Sequence, residues 1–136
     1  MNNFTFHNPT KIIFGRDTHH QVGTELNYFG IKKVMLLYGT GSIKKSGLYE
    51  QTISALDEAG VDFVEFDGVV SNPVISHARE AVCVAKEHKV DGVLSVGGGS
   101  VLDEAKAVAA GAIVEHDVWD FIQEHRSKRL YLSLVF

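Results

Sequence analysis

Two hydrophobic rhythms alternate along the chain. Val34, Met35, Leu36, Leu37 and Tyr38 form an unbroken apolar run, and Gly92-Val93-Leu94-Ser95-Val96 comes close to repeating it. Such runs suit strands covered on both faces. Between them Tyr49, Ile53 and Leu56 keep helical spacing up to Gly60, residues 61–66 return as a strand of alternating polarity, and Ile75, Ala78, Val82 and Ala85 mark the next helix. Upstream, Val22, Leu26 and Phe29 predict a helix of about three turns starting near Asp17, with Gly30 where a helix end wants a residue free to adopt positive φ. Short strands are predicted over 4–6 and 11–14, separated by Asn8-Pro9 and stopped by Gly15, as a hairpin or sheet edge. After the second apolar run, a helix over 100–113 is apolar on nearly every side and should be buried on several faces. Strands alternating with helices imply parallel pairing through right-handed crossovers. The expected fold is α/β, an open doubly wound parallel sheet centred on strands 34–38, 61–66 and 92–96. Residues 130–136 alternate like one more strand and stop without a cap, which reads as a truncated end with an unpaired strand.

Composition narrows the function classes. A chain of 136 residues that is 45% hydrophobic can bury one core, so a single domain over 1–136 is expected. The net charge of −4 and the absence of any basic block beyond Arg126-Ser127-Lys128-Arg129 argue against nucleic acid or an anionic membrane as partner. A single cysteine, Cys83, permits no internal disulfide and fits a reducing, cytoplasmic setting; on its helix it reads as a small buried residue rather than a nucleophile. Neither a signal sequence nor an apolar run of about 18 residues is present. The seven histidines contain no His-x-x-x-His pair, His19 and His20 should point apart on a helix, and His116 with Asp117, Asp120 and His125 reads as a solvated cluster rather than a metal site. Trp119 and Phe121 read as packing residues.

The two glycine-rich loops carry the candidate chemistry. Gly97-Gly98-Gly99-Ser100 follows a strand and opens a helix, where free backbone N–H groups and the helix dipole favour an anion and missing Cβ atoms let it come close. A pyrophosphate is the natural guest; a plain tight turn is the alternative. Asp103 could accept a ribose hydroxyl or complement the helix dipole. Gly39-Thr40-Gly41-Ser42 ends the other central strand, followed by Lys44 and Lys45. An acidic residue at such a strand end would grip the 2′-hydroxyl of NAD. Gly39 there, with hydroxyls and lysines beside it, favours NADP over NAD, the alternative being a polar loop with two solvated lysines.

These pieces together resemble the N-terminal region of the iron-containing (group III) alcohol dehydrogenase family, butanol dehydrogenase-like branch. The likeness rests on Phe6-His7-Asn8-Pro9-Thr10-Lys11-Ile12-Ile13-Phe14-Gly15, on Tyr38 to Gly47, on Asn72-Pro73, on Gly97 to Ala107 and on Asp117-Val118-Trp119-Asp120. It implies a Rossmann-like NAD(P)H-binding domain with Gly97, Gly98, Gly99 and Ser100 on the pyrophosphate and Asp103 near the nicotinamide side. Gly39 would help to choose between NAD and NADP, and Asn72 and Pro73 would sit beside the adenine-ribose pocket. It also implies a catalytic iron or other divalent metal, held by one aspartate and three histidines of a helical C-terminal domain that these 136 residues lack. Residues after about Glu124 depart from the family's continuation. By lineage the function is NADP(H)-dependent interconversion of primary alcohols and aldehydes, with no catalytic or metal residue in this chain. A catalytically silent nucleotide-binding module or self-associating fragment is the alternative. The apolar helix over 100–113 and the apolar tail further suggest a homo-oligomer.

Overall fold

The computed structural model describes residues 10–120 and the backbone of 133–135. The expected strand over 4–6, along with Phe121, His125 and the basic Arg126-Ser127-Lys128-Arg129, lies outside the described residues.

Residues 34–38 decide the architecture. Val34 to Tyr38 are each at most 1% exposed, so the strand β1 (Lys33–Gly39) needs cover on both faces. Alternate side chains divide between two cores, as the pleat requires. Val34, Leu36 and Tyr38 pack with Val22 and Leu26 of α1 (Val22–Tyr28) and Ala55 and Leu56 of α3 (Leu48–Ala59). Met35 and Leu37 pack with Ala81 and Ala85 of α4 (Ile75–Glu87) and Ala105 and Val108 of α5 (Gly99–Ala112). The strands β2 (Asp62–Val69) and β3 (Gly92–Val96) pair with β1 in parallel on either side, and β4 (Ser133–Val135) pairs in parallel with β3. The order is β2-β1-β3-β4, with helices on both faces, so the sheet is open, doubly wound and Rossmann-like.

Helix boundaries follow local chemistry. Gly60 adopts φ 65° and its N–H returns to the carbonyls of Asp57 and Leu56, a turn that a Cβ would strain. A single 3₁₀ turn, Thr18–Gln21, precedes α1, where the spacing predicts one continuous helix. Asp91 ties the sheet's lower edge by accepting the backbone N–H groups of Lys32 and Lys33 at 3.0 and 3.1 Å.

Several expectations are corrected. Residues 11–14 form no strand; Ile12 and Phe14 are 83% and 98% exposed, and the segment is tied down through Lys11, which donates to both oxygens of the Glu25 carboxylate at 2.7 and 2.6 Å. A side-chain ion pair stands where a strand ladder was expected. The backbone of residues 133–135 is paired in parallel with β3 within the chain's own sheet rather than unpaired. Among the described residues, β2 ends the sheet and β1 and β3 are its centre. Cys83 is exposed, because the buried stripe of α4 runs through Ala78, Ala81 and Ala85 and Cys83 lies about 200° round the helix from either of the last two. The rings of His19 and His20 come together at 4.2 Å instead of pointing apart; they share one tight turn and His19 is held by the side chain of Gln51. No helix among the described residues is long and apolar enough to cross a membrane.

Helices α1 and α3 approach closely at Gly23, where a Cβ would lie 2.3 Å from the carbonyl oxygen of Ala55 and 2.5 Å from the Cβ of Ala59. Since the obstacle is backbone of α3, the helices must separate to admit a methyl group. Gly23→Ala is therefore expected to lower unfolding stability by about 1–3 kcal/mol, measured as a lower urea midpoint with an unchanged slope.

Candidate functional site

Both glycine loops leave the sheet at the same point. Tyr38 of β1 is paired with Val96 of β3, so Gly39 and Gly97 emerge side by side from neighbouring strands. From there the chain turns opposite ways: β1 connects to β2 on one side, β3 towards β4 on the other. The divergence opens a crevice at the carboxyl ends of the strands, the position where open α/β sheets bind ligands. The loop after β2, carrying Asn72 and Pro73, reaches the same edge; both residues are exposed and Asn72 has φ 58°. Thr40 and Ser42 are exposed, and Gly41 at φ 119° opens the short helix α2 (Ser42–Lys45).

The three successive glycines have different reasons. A Cβ on Gly97 would lie 2.7 Å from Cγ2 of Val101, so packing alone demands glycine there. On Gly98 or Gly99 a Cβ would meet nothing within 4 Å. Gly98 has φ −87° and ψ −171°, which any residue adopts, and it caps α5 without a side chain. Neither the backbone of Gly98 nor the packing at Gly98 and Gly99 calls for glycine, although each flexible residue costs about 0.5–1 kcal/mol of order. What bare backbone at the start of a 14-residue helix allows is close approach of a ligand to the unpaired first-turn N–H groups. Asp103 is not in the first turn; its exposed carboxylate accepts from Lys106 Nζ at 3.3 Å.

Beside these loops lies a polar network that sequence reading missed. Glu65 of β2 accepts the hydroxyl protons of Tyr38 and Tyr49, each at 2.6 Å. The Lys44 ammonium is 4.0 Å from the same carboxylate, 5.2 Å from the centre of the Tyr38 ring and 4.7 Å from that of Tyr49. Tyr38, Lys44 and Glu65, with Phe66, Asp67, His77 and Glu80, line a cavity of about 320 Å³. The two phenol hydrogen bonds hold the Glu65 carboxyl below its usual range, with Lys44 assisting. The same bonds act inversely on the phenols: Tyr49 is pushed up to about 12, chiefly by its bond to Glu65, and Tyr38 is raised by burial and then by Glu65. On the other side of the cavity His77 donates from Nε2 to the carbonyl of Asp67 at 2.9 Å, while its Nδ1 lies 2.5 Å from Oε1 of Glu104, a carboxylate buried in α5. Partners 16 to 27 residues apart left no local signal. Farther off, Asp117 accepts from Trp119 N–H and Arg79 Nε, both at 2.8 Å, which holds its carboxyl below the usual range, and His116 Nδ1 sits 3.4 Å from Asp120.

Because the Tyr49 proton is held more tightly in the folded chain than in the unfolded one, this bond stabilises fully below pH 10 and is lost as pH rises towards 12. The Glu65 carboxyl works in the other direction, its contribution present above about pH 4.5 and lost as acid protonates it. Titration of tyrosinate absorbance should show Tyr49 ionising near pH 12, and Glu65→Gln should bring that ionisation back towards 10.

The chain as a whole has counterparts among known proteins. A family model described as iron-containing alcohol dehydrogenase matches residues 9–135, past Glu124. The chain is 48% identical over 129 residues to the probable NADH-dependent butanol dehydrogenase 1 of Bacillus subtilis, covering 94% of this chain and 33% of that protein. It is 38% identical over 125 residues to the NADPH-dependent aldehyde reductase YqhD of Escherichia coli, covering 90% and 31%. The crystal structure of NADH-dependent butanol dehydrogenase A from Thermotoga maritima superposes with a TM-score of 0.88 at 53% identity, covering 99% of this chain and 34% of that one. The chain thus spans about a third of the length of these relatives. A match over nearly its whole length, on a sheet whose switch point carries both glycine loops, means that the chain belongs to the iron-containing alcohol dehydrogenase family.

Proposed function

We propose that the chain is the dinucleotide-binding portion of an NADP(H)-dependent oxidoreductase that interconverts primary alcohols and aldehydes. The observation that carries this is the pair Gly98 and Gly99, glycines with open space where a Cβ would stand, at the start of α5 in the crevice between β1 and β3. A dinucleotide fits that cradle: its pyrophosphate would take the first-turn N–H groups of α5, with Ser100 at the same turn. Gly39, Thr40, Gly41 and Ser42 would border the adenosine ribose, Asn72 and Pro73 would flank the adenine, and Asp103 would lie towards the nicotinamide. When bound, the cofactor supplies or accepts hydride; this chain's residues bind and orient it. NADP is favoured because the end of β1 carries Gly39 and no carboxylate. Relatives are named for both NADH and NADPH. The residues described do not fit the family's metal, since no three His, Cys, Asp or Glu side chains converge among them.

The test separates binding from folding. Gly98 is the N-cap of α5, where aspartate is a better cap than glycine by a few tenths of a kcal/mol, and its Cβ would enter open space. Gly98→Asp should therefore leave the thermal midpoint unchanged or slightly higher while lowering NADPH affinity at least about tenfold through repulsion of the pyrophosphate. Fluorescence titration with NADPH checks it, and equal binding by the variant would refute the assignment.

Self-association is a second reading, favoured by Ile12, Phe14 and Tyr28, which are 83%, 98% and 76% exposed. Light scattering should then give a mass above 14.9 kDa, and Phe14→Ser should lower it.

A further inference from the structure

Of the two lysines after the first glycine loop, only one is built into a site. Both are exposed, but Lys44 is drawn over the rings of Tyr38 and Tyr49 and towards Glu65, at the cavity it lines with Tyr38 and Glu65. Ring faces attract a cation without neutralising it. The carboxylate that balances Lys44 also accepts two phenol hydroxyls, which disperses its charge. Three groups thus fix the ammonium in place, and its side chain keeps 47% exposure. A long flexible side chain loses rotamer freedom when it binds an anion; here much of that loss is already met in the free protein.

We propose that Lys44 is the residue that selects the phosphorylated dinucleotide, its ammonium binding the phosphate on the adenosine ribose while Glu65, Tyr38 and Tyr49 hold it in position. The inference rests on the reading of the glycine loops as the dinucleotide site. The geometry supports it in three ways. Lys44 stands two residues after Ser42, the last residue of the Gly39-Thr40-Gly41-Ser42 loop, and it lines the cavity at the carboxyl ends of β1 and β2. No side chain at Gly39 stands between the strand end and a bulky substituent. The competing carboxylates are Glu65, already hydrogen-bonded twice, and Asp67 and Glu80, both exposed to water that screens them.

The experiment compares 2′,5′-ADP with 5′-AMP by calorimetry, on the chain itself and on Lys44→Met, Lys44→Arg and Lys45→Met. 2′,5′-ADP is expected to bind more tightly than 5′-AMP, and more weakly as salt rises. Lys44→Met should lose about tenfold for 2′,5′-ADP, the size of one charged hydrogen bond, and change 5′-AMP binding less than about twofold; Lys44→Arg should keep the preference and Lys45→Met should leave it intact. If 2′,5′-ADP binds but Lys44→Met retains its full preference, the role of Lys44 is wrong while the dinucleotide site stands. A preference for 5′-AMP would mean that the acid-lined cavity holds a free ribose diol, and the proposal falls. If neither nucleotide nor NADPH binds, both readings fall together.

Discussion

Burial of β1 on both faces is the constraint on which the rest depends. Five consecutive side chains with no access to water must be covered from two sides, and the chain supplies α1 and α3 for one face and α4 and α5 for the other. Once helices occupy both faces, the neighbouring strands run parallel and each connection crosses over, because a parallel pair cannot be joined by a hairpin. The connections from β1 and β3 then go opposite ways, and the crevice between Gly39 and Gly97 is a consequence of that divergence rather than an added feature.

Close packing and ligand access are both achieved by glycine, at different positions. Gly23 lets α1 touch the backbone of α3, Gly97 makes room for Val101, and both would be crowded by a single methyl group. Gly98 and Gly99 have room to spare. That contrast distinguishes a glycine the fold requires from one that leaves backbone accessible, a difference that the letters alone do not show. The polar groups divide in the same way. Asp91 and Asn27 bond backbone groups of neighbouring segments and secure the scaffold, whereas Glu65 gathers two phenols and a lysine at the rim of a cavity.

His77 joins the halves of this rim. One ring nitrogen donates to the end of β2 and the other faces Glu104, two turns along the helix that Gly98 caps. The end of β2 is thereby tied to the helix that Gly98 caps, so these two walls of the crevice are set relative to each other by α4.

Sequence by itself determined the elements that rest on local pattern. Strands 34–38 and 92–96 were legible because two-sided burial forces unbroken apolar runs, α3 and α4 because their apolar positions recur at helical spacing, and α5 as an apolar stretch opened by glycine. Both glycine loops were legible for the same reason, as was the family they resemble. Residues 11–14 misled, since a short apolar run between Asn8-Pro9 and Gly15 is shared by strands and by a segment held through an ion pair, here Lys11 with Glu25. Cys83 misled because Ala81, and not Val82, lies on the fully buried stripe, a rotation of one residue that periodicity does not resolve. Only the tertiary structure decided that Lys44, Tyr49 and Glu65 meet, that Glu104 is buried against His77, and that the two glycine loops lie side by side. These are relations between segments far apart in the chain, and pairing order and crossover direction bring them together where no local periodicity records them.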